Sequence, residues 1–418
     1  MRTLTIEEAS SKCLAAGKVF QPRTPIAVKE LLAGRWSELT TLVDSVAQQG
    51  LHVVVYGERG VGKTSLANVV QTTIHVFDKH QNRIVVKINA DSDDTFSSIW
   101  KKLFVDITWE DARPTIGLNQ RQRDRVYLSE AFNLPDQLSI EDVRRALISL
   151  PESVFIIDEF DRAPMSVSKN FTDLIKSLSD FAVDSTIILV GVSDTVDQLV
   201  ADHASINRSV VQIPLQRLTA DSLKAILFNA EKSLDVEFSS EAKNLIVHIS
   251  QGLPHYTHLI GMHSVRKAAM ESLSNQIGRA EVFNALREAV KQAQQTVTEK
   301  HIKAVHSAHK DALYRQVLLA CAMAAARSHD ALGYFNPSAV VSPLESVLGR
   351  KVEIATFNNH LAEFCQIKRG HALERTGESR GFRYRFRDPL LVPFVFMDAL
   401  ATNLTTDEEL SQRLGGSF

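Results

Sequence analysis

No apolar run in this sequence reaches the roughly 18 residues that a membrane-spanning helix needs, so an integral membrane protein is not expected. Cysteine is scarce. Cys13, Cys321 and Cys365 are odd in number and far apart, which fits neither a disulfide framework nor a zinc pattern and suits a reducing compartment. Each reads as a small buried apolar residue. Net charge is also nearly absent: 47 Lys and Arg stand against 49 Asp and Glu, so only local charge can point to a polyanionic partner. The chain starts MRTLTIEEASSKC, with Glu7 and Glu8 where a secretory signal would be apolar, and a cytoplasmic protein is expected. What is present is the composition of globular protein, 44% hydrophobic and 23% charged. At 418 residues it exceeds what one core usually serves, and two or three domains are expected.

Apolar runs alternate with amphipathic segments over residues 34–216, the pattern of parallel strands covered on both faces. The strand candidates are residues 51–56, 83–88, 153–157, 186–190 and 209–213, each short, rich in branched side chains and expected to be buried on both sides. Helical patterns lie between them, at 95–105 and 166–181. From about Thr219 strand signals stop; helix starts are expected at Thr219 and Ser240, and residues 280–309 read as one long polar helix. Residues 107–138 carry little pattern, and Arg121, Arg123 and Arg125 read as part of a solvated loop. Beyond 310 come helices at 312–327, 339–348 and 354–367, then extended stretches at 371–375 and 381–387. Three helices followed by a hairpin describe a winged helix.

Gly57-Glu-Arg-Gly60-Val-Gly62-Lys63-Thr64 matches GxxxxGK[ST], and it falls where its chemistry requires, after an apolar strand and at a helix start. Its glycines let backbone N–H groups of the loop, continuing through Ser65, wrap a β-phosphate at a positive helix N-terminus. Lys63 would bridge β- and γ-phosphates, and Thr64 would set its hydroxyl on Mg²⁺. Downstream, Val154-Phe-Ile-Ile-Asp158-Glu159 buries a strand and delivers two carboxylates at its C-terminal edge, where ligands of open α/β sheets bind. Asp158 is the expected Mg²⁺-side carboxylate and Glu159 the group that orients the attacking water. Asp161 and Arg162 read as ordinary surface residues. A Glu directly after the Asp goes with an extra strand between the two motifs in space, and 186–190 is the candidate.

These features resemble an AAA+ ATPase of the branch that holds the origin-recognition initiators and related ATPases ending in a winged helix. The resemblance covers residues 34–400. It rests on Gly34-Arg35-Trp-Ser-Glu38-Leu39, similar to the GRxxEL box, on the phosphate loop, on Ile156-Ile-Asp158-Glu159, and on Gly191-Val-Ser193-Asp194. It implies an α/β fold: a P-loop NTPase αβα sandwich with a five-stranded parallel sheet, followed by an α-helical lid and a C-terminal winged-helix domain. The boundaries expected are 1–33 for an N-terminal segment, 34–216 for the ATPase core, 217–309 for the lid and 310–418 for the winged helix and tail.

Several roles follow from the resemblance alone. Ser193 takes the sensor 1 position, with a helix cap as the competing reading. Arg208 matches the arginine that reaches a neighbouring subunit's ATP, with an exposed loop arginine as the alternative. Gly252-Leu-Pro254-His255 departs from the sensor 2 pattern, placing His255 where an arginine usually stands; a neutral imidazole cannot clamp phosphate as a guanidinium does, so slow or partner-stimulated hydrolysis is expected. The cofactors implied are ATP and Mg²⁺, and an arginine supplied in trans implies a homo-oligomer.

Residues 368–387 contain seven basic and two acidic side chains, the one concentrated nucleic-acid footprint in the chain. Within Phe382-Arg383-Tyr384-Arg385-Phe386-Arg387 the alternation sets arginines on one face and aromatics on the other. Lys368, Arg369, Arg380, Arg383, Arg385 and Arg387 are candidates for duplex DNA contact, with protein or interdomain contact as the alternative. Thr356, Asn358, Asn359 and His360 on the preceding helix could meet base edges or form a solvated face. The leading function is an ATPase whose nucleotide state drives assembly or remodelling on DNA. The rival is a STAND-like signalling or defence switch acting on a protein partner such as an effector or nuclease, to which Gly252-Leu-Pro254 and the missing arginine lean.

Overall fold

The computed structural model describes residues 3–22, 34–77, 83–105, 107–111, 124–128, 132, 134–200, 206–309, 312–327, 330, 332–378 and 381–414. They fall into two compact units: residues 25–58 with 63–216, and residues 1–24 with 59–62 and 217–418. Among the described residues no helix is long and apolar enough to cross a membrane.

The first unit is a five-stranded parallel sheet. Its strands are β1 (His52–Gly57), β2 (Ile84–Asn89), β3 (Ser153–Asp158), β4 (Ser185–Val192) and β5 (Val210–Pro214), each within two residues of the expected run. Their order is β2-β3-β4-β1-β5, so the extra strand β4 does lie between the strand that feeds the phosphate loop and the strand that ends in Asp158. Not all five are buried on both sides as expected. β3 is buried along its whole length, whereas β2 and β5 are the sheet edges and stay partly open, because an edge strand has a neighbour on one side only.

Helices Phe96–Val105 and Met165–Asp180 cover one face, and their apolar stripes meet over β3. Trp100 is the hub: its ring lies 5.2 Å from Phe155 of β3, 5.3 Å from Phe104, and stacks on Phe171 at 5.9 Å. All four are at most 1% exposed, and burying each contributes roughly 2 to 3 kcal/mol. The cluster fixes the strand that carries Asp158. At the strand starts, the Ser153 and Ser185 hydroxyls sit 2.7 Å apart and satisfy each other in the dry interior. His52 is likewise buried, and its Nδ1 accepts the Ile187 N–H at 3.0 Å. Burial pushes this imidazole down to about 3. Within the stretch expected to be a loop, Thr108–Asp111 pairs antiparallel with Asp124–Tyr127, which includes Arg125; Arg121 and Arg123 lie outside the described residues.

The second unit is helical apart from short strand pairs. Helix Ala220–Leu234 begins where Thr219 accepts from the Ser222 N–H, and Ser240–Ser250 begins where Ser239 accepts from Ala242. The N-terminal helix Ile6–Val19 belongs to this unit, its Lys12 ammonium donating to the Leu234 and Asp235 carbonyls at 2.6 and 2.8 Å. The long helix expected over 280–309 is two helices, Arg279–Gln292 and Gln295–Val305. Neither glycine nor proline marks the break; tertiary pairing overrides propensity there, since the second helix turns Lys300 onto Asp388 at 2.7 Å and His301 toward Asp398 at 3.5 Å.

Helices Tyr314–Arg327, Ser338–Leu348 and Ile354–Phe364 precede an antiparallel hairpin of β6 (Leu373–Thr376) and β7 (Arg383–Phe386), with Leu373 opposite Phe386 and Thr376 opposite Arg383. The expected alternation holds: Tyr384 and Phe386 are buried, while Arg383 and Arg387 are exposed.

Candidate nucleotide-binding site

The phosphate loop follows β1 and ends in helix Lys63–Phe77. Gly57, Gly60 and Gly62 all have positive φ, at 150°, 88° and 101°, a region most side chains avoid. Gly57 has a second reason to be glycine, because a Cβ there would strike the Leu215 carbonyl oxygen. Lys63 is buried and its Nζ donates to the Gly57 and Glu58 carbonyls at 2.9 and 2.8 Å, inside the curl of the loop. Thr64 and Ser65 occupy the first turn of the helix, where N–H groups lack intrahelical partners. The loop tip, Arg59 to Gly62, counts with the second unit: Arg59 pairs with buried Asp388 at 3.2 Å and donates to Gln294 at 3.1 Å.

Asp158 is 2% exposed at the C-terminal end of β3. Its Oδ1 accepts the Glu159 N–H at 2.9 Å, and its Oδ2 has no hydrogen-bond partner among the described residues. A buried carboxylate at a strand end is the kind of hard oxygen ligand Mg²⁺ takes, so the residues present fit that ion, with the Thr64 hydroxyl as the second oxygen. Lys87 of β2 approaches the same Oδ2 to 3.1 Å. Reading the strand as a buried apolar run passed over this lysine, although a lone charge inside Ile-Val-Val-Lys-Ile was the signal.

Glu159 stands in the left-handed region at φ 54°, with its side chain about half exposed and its Oε2 accepting from Arg162 at 2.8 Å. Arg162 also reaches Asp91 at 2.7 Å, and Asp161 accepts the Val192 N–H of β4 at 2.7 Å. Both are exposed, as expected of surface residues, and both also make contacts at the strand ends. One restrains the Glu159 carboxylate, and the other ties the end of β3 to the end of β4.

Ser193 is buried at the end of β4, with its N–H 3.4 Å from the Gly57 carbonyl oxygen. Its hydroxyl donates to the Thr195 carbonyl, accepts the Thr195 N–H at 3.2 Å and lies 3.1 Å from the Gln198 amide oxygen. The backbone is thus beside the loop while the side chain serves the following turn. Arg208 precedes β5, which runs parallel to β1 from His52 opposite Val210 to Tyr56 opposite Pro214. It therefore sits at the opposite end of the sheet from the loop of its own chain, roughly 15 to 20 Å away along the strands. Its guanidinium is 81% exposed and pairs with Asp180 at 3.0 Å. Arg35 of the GRxxEL box is buried, pairs with Glu38 at 2.8 Å and donates to the Gln216 carbonyl beyond β5. Burial pushes Glu38 up, but hydrogen bonds from Ser37 and Arg35 outweigh it and hold the carboxyl low.

In the second unit, His255 opens helix Pro254–Glu271, and its Nδ1 donates to the Pro22 carbonyl at 2.6 Å. The basic cluster at the hairpin is largely paired internally. Arg383 meets Asp330 at 2.5 Å, Arg385 meets Glu374 and the Leu332 carbonyl, and both lie over the Tyr334 ring. Arg369 pairs with Glu363 at 3.2 Å and covers the Tyr314 ring, and Arg387 contacts His371. Lys368 is exposed, as are Thr356, Asn358 and Asn359, whereas His360 is half-buried against Tyr314; Arg380 lies outside the described residues.

Residues 46–200 match the AAA domain family. No curated protein sequence matches the chain significantly. Among solved structures, the chain is similar to the Aeropyrum pernix Orc1 protein in complex with DNA (15% identity, covering 93% of this chain and 97% of that one, TM-score 0.48). It is also similar to Cdc6p from Pyrobaculum aerophilum (16%, 94% and 99%, TM-score 0.45) and to the Thermotoga maritima RuvB Holliday junction branch migration motor (18%, 83% and 89%, TM-score 0.39). The phosphate loop, the acidic β3 end and the extra strand between them all fall within residues 46–200, the segment that matches the AAA domain family.

Proposed function

We propose that the protein binds ATP with Mg²⁺ and hydrolyses it, and that nucleotide state drives assembly or remodelling on duplex DNA through a C-terminal winged helix. The observation that carries the ATPase reading is the pairing of a buried Lys63 curled into a glycine loop with the buried Asp158 carboxylate at the end of β3. On binding, Lys63 exchanges its two carbonyl partners for β- and γ-phosphate oxygens. Thr64 and Asp158 would hold Mg²⁺, which would supply charge neutralisation on those phosphates. Glu159, once released from Arg162, orients and polarises the attacking water. Arg208, too far from its own loop, serves a neighbouring copy, which makes the active enzyme a homo-oligomer. His255, engaged with Pro22, adds no clamp to the phosphates, and hydrolysis is accordingly slow or partner-stimulated.

The DNA reading is supported by the exposed face of helix Ile354–Phe364, where Thr356, Asn358 and Asn359 are neutral and polar, and by exposed Lys368. One observation favours the rival, a STAND-like switch acting on a protein partner: Asp330, Glu374 and Glu363 already neutralise three of the arginines meant for phosphate. Steady-state ATP hydrolysis with and without duplex DNA separates the two. Stimulation that fades as salt rises, and is absent in Arg208→Ala, supports a DNA-coupled ATPase. Turnover indifferent to DNA supports the switch, and loss of nucleotide binding is expected in Lys63→Ala under either reading.

A further inference from the structure

Asp158 already faces a cation of its own chain. Lys87 approaches from the neighbouring strand: the β2–β3 register sets Lys87 beside Ile156 and Asn89 beside Asp158, so alternate residues of β2 share the face on which Asp158 lies. Nζ stops 3.1 Å from Oδ2, with the two side chains 13% and 3% exposed. Taking both charges out of water costs several kcal/mol, so the lysine is held there by the carboxylate and not by any β-sheet preference for its stem. The contact is an ion pair without hydrogen-bond alignment. Oδ2 therefore accepts no hydrogen bond among the described residues while its charge is already balanced.

We propose that Lys87 is a built-in counter-ion of the metal-side carboxylate, a positioning residue that weakens Mg²⁺ binding and lets nucleotide bind with little dependence on the dication. The inference rests on the nucleotide-binding reading above. A dication brought to Asp158 meets a fixed positive charge within a few ångströms, in a site too dry for water to screen it. The ammonium in turn keeps the carboxylate from repelling phosphate when no metal is present. Lys87 thereby shifts the site from one that needs Mg²⁺ to hold nucleotide toward one that needs it only for turnover.

Binding of the fluorescent probe mant-ADP to the full chain, titrated with MgCl₂ from an EDTA baseline, tests this. The wild type is expected to bind in EDTA nearly as well as in Mg²⁺. Lys87→Met and Lys87→Gln are expected to bind poorly in EDTA and to reach half-saturation at about tenfold less Mg²⁺, the low end of what outer-shell groups are worth to a metal site. Lys87→Arg, which keeps the charge, is expected to behave as the wild type, and far-UV circular dichroism checks that each variant is folded. Folded neutral variants whose Mg²⁺ midpoint and EDTA binding equal those of the wild type overturn the proposal while leaving nucleotide binding intact. A wild type that binds no mant-ADP at any Mg²⁺ concentration overturns the nucleotide-binding reading itself.

Discussion

Arg162 holds the Glu159 carboxylate at 2.8 Å with one arm of its guanidinium and Asp91 at 2.7 Å with the other. The three side chains are each about half exposed, so solvent screens the network and it adds little to stability. Its effect is on direction: a carboxylate committed to a guanidinium is not aimed at water. Arg162→Ala is therefore expected to raise basal ATP turnover several-fold with no change in thermal midpoint, measured by steady-state hydrolysis and calorimetry. A fall in turnover would mean that Arg162 aims Glu159 instead of restraining it. Glu159→Gln in the same assay should keep nucleotide binding and lower turnover by about 10² to 10⁴, the usual worth of a general base.

Arg208 stands at the far end of the sheet from its own phosphate loop, paired with Asp180. Arg208→Ala is expected to leave mant-ADP affinity unchanged while cutting turnover by about 10³ or more, as for an arginine supplied in trans. Asp180→Ala, which removes only its surface partner, should not lower turnover. Mixing Arg208→Ala with Lys63→Ala protein should recover activity above either alone, since one supplies a loop and the other a guanidinium; an inactive mixture would count against a shared site.

Trp100 connects the covering helices to β3 through Phe155 and Phe171. Trp100→Ala should cost about 3 to 5 kcal/mol in chemical denaturation. The same variant should also weaken nucleotide binding, because Phe155 lies on the strand that presents Asp158. Trp100→Phe, which keeps most of the ring volume, should recover much of both.

His52 is buried neutral, with burial holding it at about 3, far below its unfolded value near 6.5. As pH falls from about 6.5 toward 3 the unfolded chain takes up a proton that the folded state refuses, so stability drops by up to about 1.4 kcal/mol per pH unit from this one group. Above pH 6.5 the term vanishes. Denaturant midpoints measured from pH 7.5 to 4.5 should show this slope, and His52→Asn, less stable at neutral pH, should show a shallower one. Equal slopes in both proteins would assign the acid sensitivity elsewhere.

Local chemistry made much of this protein readable. The five strand runs, the helix caps at Thr219 and Ser239, and the glycines of the phosphate loop are short-range features, and each lies within two residues of its expected place. Asp158 and Glu159 were legible because an apolar strand ending in two acids, a common pattern by itself, follows a phosphate loop with one strand between them. Lys87 and Arg162 were not. Their partners, Asp158 and Asp91, lie on other strands or beyond another strand's end, and nothing in a run of Ile and Val says which carboxylate a lysine will meet.

The division has a physical cause. Period, capping and glycine geometry act over a few residues, so the sequence by itself determined the five sheet strands, the loop and the alternation of arginines and aromatics on the hairpin. Pairing of charges is decided by distance in space. Only the tertiary structure showed that Arg383, Arg385 and Arg369 are balanced by Asp330, Glu374 and Glu363, that residues 280–309 break after Gln292, and that Asp158 pairs with Lys87.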